Sequence, residues 1–480
     1  MTTATAPRTQ APDTIRAGGI LVLLVGPFLA GLDFFIVNVA LPTIRRDLGP
    51  SPAALGLVVA GYGTAYAVLL VLGGRLGDEY GRRRLFVVGL AAFTVTSLAA
   101  GLAPTTGALL AARIMQGASA ALMVPQTLAT FRAVMTGTAR GRAVALYTAA
   151  GGVSSIVGQL LGGLLVSTLS WRAVFLVNVP VGLVALLFVR RAVPRSRSAV
   201  RVGADVRGTV AFAVALGALL VALAEGPANG WPWWTWTALG VSVVAGVVLV
   251  RWSVVAARRG VSPFLPVDLI RGAASMRRGL PTLVVFFVLF GTFMFAFSIV
   301  AQDGLRLGPL AAGVAISPVM IAYVVSSARV PALLARSGRA VLVGGLVVEA
   351  VGLAVVLAVL TWGWRALSLL GTTGARPGPV VLLVVLGVGL ALVGCGQALG
   401  VGCLFRSVLS EVPEASAGVG GGVLVSAQQT AIALGVAGLG SCFSAVSGGA
   451  GVQTGAVVIG VVLVVGTAAL VPQALRLPTP

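Results

Sequence analysis

The chain has 480 residues, of which 58% are hydrophobic and 9% charged, with a mean hydropathy of +1.05. A soluble domain carries about 25% charged residues, so this chain cannot cover itself with a water-facing surface and is a membrane protein. The balance of 33 basic against 12 acidic residues gives +21. Every basic residue is Arg, so a Walker A loop is excluded for want of Lys, and histidine metal or acid–base chemistry for want of His.

Residues 1–17 read as a polar cytoplasmic tail. The first apolar stretch, 17–44, is interrupted by Asp33 and is too long for a signal-peptide core, so it is taken as an uncleaved first span. Further apolar runs fall near 55–76, 85–103, 107–130, 143–168, 173–190, 208–225, 233–252, 281–302, 311–331, 340–361, 379–404, 417–444 and 453–473. Each is long enough for a membrane helix, and together they predict fourteen spans. The three cysteines, Cys395, Cys403 and Cys442, stand in apolar surroundings without CxxC spacing and read as core thiols.

The arginines test the topology. With the N-terminus inside, 26 fall in the inner segments and 6 in the outer loops, while Arg113 lies within a span. That asymmetry places both termini in the cytoplasm and turns the basic excess into a topology signal, leaving nucleic acid without a role. Seven of the eight Trp, among them Trp171, Trp231, Trp233 and Trp362, sit at outer span ends, as an interfacial belt requires.

A weak internal repeat orders the spans. The turn after span 2 reads GGRLGDEYGRRRLFVVG (73–89), and the turn after span 10 reads PALLARSGRAVLVGG (331–345), an offset of 257 residues between Gly81 and Gly338. Six spans and a linker fill about 206 of those residues; the pair at 208–252 fills the rest. The expected organisation is a tail (1–17), a six-helix bundle (18–190), a cytoplasmic linker (191–207), two inserted helices (208–252), a cytoplasmic loop (253–280), a second six-helix bundle (281–473) and a cytoplasmic tail (474–480). Repeats of this kind mark secondary transporters, whose substrate sites lie near the midplane between repeats.

Five ordered motifs carry a resemblance. They are LDFFIVNVALPTI (32–44), the 73–84 segment, RIMQGASAALMVP (113–125), WRAVFLVNVPVG (171–182) and VPEASAGVGGGVLVSAQQTAIALG (412–435). On these the chain resembles the fourteen-helix drug:proton antiporter branch of the major facilitator superfamily. One departure stands out: GGVSSIVGQLLGG (151–163) has Gln159 where the antiporter motif places Pro. The resemblance implies an all-α integral membrane fold of two six-helix bundles plus two inserted helices. It also implies alternating access, with the segment holding Gly74, Asp78, Gly81 and Arg82 as a cytoplasmic gating loop.

An ionisable group inside a bilayer is costly and is a functional candidate by default. Asp33, Arg113 and Glu349 are the three within spans. Counting from the outer helix ends puts Asp33 and Arg113 at depths of about 15 and 10 Å, within one helical turn of each other. A buried Arg stabilises a nearby carboxylate, and protonating that carboxylate frees the Arg, so the pair is the candidate proton-coupling switch; a static salt bridge is the competing reading. Gln116 shares Arg113's helical face; its amide either orients the guanidinium, lines the substrate cavity, or makes a plain interhelical hydrogen bond. Glu349 has no cation in its own span; it serves either a cationic substrate, a second protonation, or an interhelical hydrogen bond as a neutral acid. Tyr62, Tyr66, Tyr147, Gln159, Tyr323 and Gln397, with Asn178 and Gln428, are further polar or aromatic candidates for substrate contact.

The expected function is proton-coupled efflux of drug-like or antibiotic-like organic molecules across a bacterial plasma membrane. The chain is expected to act as a monomer within the lipid bilayer, with a proton gradient as energy source and neither metal nor cofactor. Proton-linked uptake of an organic solute is the alternative, favoured only by Gln159, and a non-transporting membrane sensor or scaffold is a remote third.

Overall fold

Fourteen helices long and apolar enough to cross a bilayer run through the computed structural model, which describes residues 15, 17–197, 203, 205–370, 377–413 and 416–477. They are α1 (Ala17–Leu48), α2 (Pro52–Tyr80), α3 (Arg82–Gly101), α4 (Thr106–Val134), α5 (Gly137–Thr168), α6 (Ala173–Ala192), α7 (Val206–Ala228), α8 (Trp233–Arg258), α9 (Ala274–Gly304), α10 (Pro309–Ser327), α11 (Ala340–Trp362), α12 (Val381–Leu409), α13 (Gly418–Ala450) and α14 (Val452–Ala474). Residues 1–14 of the expected N-terminal tail, the middle of the 191–207 linker, Arg376 and the last residues of the C-terminal tail lie outside the described residues.

Several helices outrun their apolar stretches. At 1.5 Å per residue the 29 residues of α2 span about 44 Å, well beyond the ~30 Å hydrocarbon core, so its last turns carry Arg75 and Asp78 on continuous helix. The segment expected as a loop at 253–280 is largely helical: α8 runs to Arg258, a short helix occupies Val267–Gly272, and α9 begins at Ala274. Short helices also fill Val330–Ser337 and Trp364–Leu370. Hydropathy cannot find these elements, because chain outside the hydrocarbon needs no apolar side chains to stay helical.

Helices α1–α6 pack as one bundle and α9–α14 as another, with α2 crossing α13 and α5 crossing α10 between them. Small residues set the close crossings. Gly117 of α4 lies against the Tyr62 carbonyl of α2, and Gly163 of α5 against Pro309 and Leu310 of α10, leaving no room for a Cβ at either glycine.

The even count of helices puts the start of α1 and the end of α14 on one face, here the terminal face, with the distal face opposite. The bundles meet from mid-depth to the distal face. There Ile36, Leu41, Val58 and Phe175 of the first bundle share a core with Phe295, Ile299, Val436 and Ile459 of the second. The Ser298 hydroxyl donates to the Asn38 carbonyl, and Gln302 Nε2 donates to the Val39 carbonyl at 2.8 Å. Arg45 Nη2 lies 2.9 Å from Asp303 Oδ2 as an ion contact off the line of a good hydrogen bond. Towards the terminal face, α5 is mostly exposed over residues 141–149. The molecule is closed distally.

The inserted pair covers a seam. Leu216, Leu220 and Ala224 of α7 pack on Ala53, Ala60 and Val68 of α2 and on Ala433 and Ala437 of α13, while α8 packs chiefly on α7. Arg75 of α2 ties the pair down by donating to the carbonyls of Ser262 and Pro263 at 2.8 Å each and of Gly203 at 3.4 Å. Asp205 caps α7 through Gly208 N at 2.9 Å and also accepts from Trp252 Nε1 and Phe264 N.

Candidate functional site

The first bundle closes around a charged network. Asp33 sits in mid-α1 and Arg113 one-quarter of the way along α4, and both are fully buried. Arg113 Nη1 donates to Asp33 Oδ2 and, at 2.8 Å, to Gln116 Oε1. Gln116 Nε2 donates in turn to Asp33 Oδ1 at 2.8 Å and to Ser97 Oγ at 2.7 Å. Asn178 Nδ2 adds a 3.1 Å bond to Asp33 Oδ1, and Arg113 Nε reaches the Val58 carbonyl at 3.3 Å. The guanidinium carbon stands 4.4 Å from the Tyr62 ring centroid and 5.7 Å from that of Phe175. Burying such ions costs several kcal/mol each, which only an ion pair with its remaining donors and acceptors satisfied can offset. Here three donors converge on one carboxylate, and two aromatic faces hold the cation.

This geometry relocates several expected residues. Tyr62, a candidate for substrate contact, donates its hydroxyl to the Ala30 carbonyl at 3.0 Å and gives its ring to Arg113, so it belongs to the network. Tyr66 stacks obliquely on Tyr62 with centroids 6.3 Å apart, and it and Tyr147 join the same apolar cluster. Gln159 is buried at the α5–α10 crossing, where its carbonyl stands over Gly313. Tyr323 of α10 and Gln428 of α13 are half-buried in or beside the second bundle. Ser97 drew no notice in the sequence, because one serine in an apolar helix is commonplace. Asn178, another candidate for substrate contact, turns onto Asp33 instead.

The segment expected as a gating loop is a corner between two helices. Gly74 and Asp78 lie on the last turns of α2, Gly81 is the lone break with φ +100, and Arg82 opens α3. Arg82 binds Asp78 across the corner at 2.7 Å, and Arg83 donates to the carbonyls of Arg190 in α6 and of Val193 just beyond it. Of the glycines, Gly73 and Gly77 meet the Ala121 carbonyl and Gln126 of α4, but a Cβ on Gly74 would sit an ordinary 3.9 Å from Pro125.

Glu349 and Gln397 come together in the second bundle. Glu349 is 5% exposed on α11 and lies beside Gln397 of α12, itself 1% exposed. Two apolar grooves open on the outside of the helices, one among α9, α11 and α14 and one between α7 and α8; neither is lined by the Asp33 network.

Comparison with known proteins places these features in a family. A sequence model of the Major Facilitator Superfamily matches residues 23–210. The puromycin resistance protein of Streptomyces alboniger is 36% identical over 89% of this chain and 82% of its own length. The probable actinorhodin transporter of Streptomyces coelicolor is 33% identical over 90% and 73%, and the multidrug resistance protein Stp of Mycobacterium tuberculosis 31% over 91% and 76%. Among solved structures, an auto-inhibited peptide transporter of the POT family superposes with a TM-score of 0.68 at 14% identity over 96% of this chain and 98% of its own, a likeness of fold alone.

Proposed function

The chain belongs to the Major Facilitator Superfamily, and from that premise we propose that it is a proton-coupled exporter of drug-like or antibiotic-like organic molecules. Relatives named for resistance to puromycin and for carriage of actinorhodin support export over uptake. The observation that carries the coupling is the buried Asp33–Arg113 pair. Asp33 is the only carboxylate in that network, and the groups that bind it come from α4 and α6, with Ser97 of α3 bonded to Gln116 behind them.

Protonating Asp33 cancels the charge that fixes Arg113 and leaves the guanidinium held by Gln116, the Val58 carbonyl and two aromatic rings. The helices that share these bonds, α1, α3, α4 and α6, then lose their common anchor and rearrange relative to one another. The terminal face is the cytoplasmic one in this reading, because the arginines concentrate there, and the closed distal seam makes this an inward-facing state in the plasma membrane. A monomer suffices, since one chain holds both bundles, and the proton gradient replaces any cofactor.

Puromycin efflux from expressing bacteria tests the proposal. Export should cease when an uncoupler collapses the proton gradient, and everted vesicles should take up puromycin only when acidified inside. Uptake into intact cells driven by external acid, with no efflux, would reverse the assignment to the alternative of solute import.

A further inference from the structure

One carboxyl inside a bundle is not used by the Asp33 switch. Glu349 stands in mid-α11, on the glycine-lined crossing of α11 and α12. A Cβ on Gly396 would fall 2.6 Å from the Glu349 backbone nitrogen, and glycines 345 and 352 continue the same tight seam one turn to either side. Gln397 is its nearest polar neighbour on α12, and Oε2 has no hydrogen-bond partner among the described residues.

The surroundings offer no countercharge. On α11 Glu349 is the sole ionisable residue, and α14, packed on its other side, has none. On α12 the ionisable groups are Cys395, Cys403 and, near the terminal-face end, Arg406. Arg336 and Arg339 stand at the start of α11, with Arg339 committed to the Leu475 carbonyl, and Arg365 stands beyond its far end. None of the ion pairs among the described residues includes Glu349. An ionised carboxylate with no countercharge in so tight a crossing is strongly disfavoured, whereas a carboxylic acid fits it.

The two bundles are related in this respect. In each, a buried glutamine on the fourth helix stands by the buried acid: Gln116 of α4 binds Asp33, and Gln397 of α12 lies beside Glu349. Only the first bundle adds an arginine; the 257-residue repeat puts Phe290 where Asp33 stands.

Resting on the exporter reading, we propose that Glu349 is a second proton-carrying site, in the bundle without an arginine-paired acid. The proton binds as the α11–α12 crossing closes. When the crossing opens, water reaches Oε2, the O–H bond breaks, the proton passes to water and the electron pair stays on the carboxylate. Each export cycle then returns two protons, one through each bundle.

The limiting substrate gradient counts those protons. In proteoliposomes with an imposed difference of about one pH unit, each coupled proton multiplies the sustainable puromycin gradient by about tenfold. Glu349→Gln is expected to lower the wild-type ceiling about tenfold while transport continues; an equal ceiling overturns the proposal. Infrared spectra of wild-type protein across pH, without substrate, give an independent reading. A carboxyl C=O band that titrates, and that Gln397→Leu shifts in frequency, supports the site even if Glu349→Gln fails to fold. A spectrum in which Gln397→Leu moves no titrating band overturns it. Should the wild-type protein build no puromycin gradient, the exporter reading fails, and the infrared titration still decides Glu349.

Discussion

Arg113 of α4 donates to Asp33 of α1 at a point where neither side chain is more than 1% exposed. The pair lies within one bundle and borders the shared core through Val58 and Phe175, so its breaking reorganises a bundle from inside. Removing one partner of a buried pair typically costs about 3–5 kcal/mol. Arg113→Ala should approach that figure, because it strands a carboxylate with only the amides of Gln116 and Asn178. Asp33→Asn should cost less, since Arg113 keeps the Val58 carbonyl, Gln116 and two rings. Thermal melts in detergent should therefore rank wild type above Asp33→Asn above Arg113→Ala. Gradient-driven puromycin export should vanish in Asp33→Asn although folded protein reaches the membrane; undiminished export would remove Asp33 from the coupling mechanism.

The glycines of the α2–α3 corner divide into two kinds. Gly73 lies against the Ala121 carbonyl, so Gly73→Ala must push α2 off α4 and should cost about 1–3 kcal/mol by overpacking. Gly74 has an ordinary 3.9 Å to its nearest neighbour, and alanine is the better helix former by up to ~1 kcal/mol, so Gly74→Ala should leave the melting temperature level or raise it. A large loss at Gly74 with none at Gly73 would contradict the packing seen here.

The contrast shows what the sequence could and could not reveal. All fourteen membrane helices were legible, since twenty apolar residues in a row have few other uses. Helical counting brought Asp33 and Arg113 to one depth, because depth follows from rise per residue. It could not say that Gln116 bridges them, that Tyr62 turns its ring to the cation, or that Ser97 completes the network, since those depend on the rotation of five helices about their axes. The corner at 73–84 misled in a different way. Charged residues and glycines suggest a loop, yet outside the hydrocarbon a helix needs only its own hydrogen bonds to continue, and Gly81 alone breaks it.

Arg75 makes a prediction about the inserted pair. Its guanidinium serves three backbone carbonyls on the chain entering α7 and the chain leaving α8, which are otherwise joined to the first bundle by side-chain packing. Arg75→Ala leaves those acceptors to water and should loosen both connections at a cost of about 1–3 kcal/mol. Arg75→Lys has three donors on one nitrogen and cannot span the same carbonyls in a planar fork, so it should rescue only in part. Limited proteolysis of everted vesicles checks this: cleavage near residues 203 and 262 should speed up in Arg75→Ala and less so in Arg75→Lys. Equal cleavage rates in all three proteins would mean that packing on α2 and α13 alone holds the pair.

The distal seam allows a sharper separation of stability from conformation. Arg45 and Asp303 join the two bundles with side chains 43% and 19% exposed. A pair so open to water contributes about 0.2–1 kcal/mol, a small share of the folding free energy. The same quantity acts undiluted on the equilibrium between distally closed and distally open states, where it shifts the ratio by up to about fivefold. Asp303→Asn should therefore leave the melting temperature nearly unchanged while opening the seam more often. Ser298, 6% exposed and bonded to the Asn38 carbonyl behind that pair, reports the opening. With Cys395, Cys403 and Cys442 replaced, a Ser298→Cys probe should react with an impermeant maleimide a few-fold faster in the Asp303→Asn background. Raising the salt should speed the Asp303 protein's labelling and narrow the difference, because screening weakens exposed pairs. Identical labelling in both backgrounds would assign the closure to the apolar cluster around Phe295 and Ile299 and to Gln302, with the ion pair a bystander.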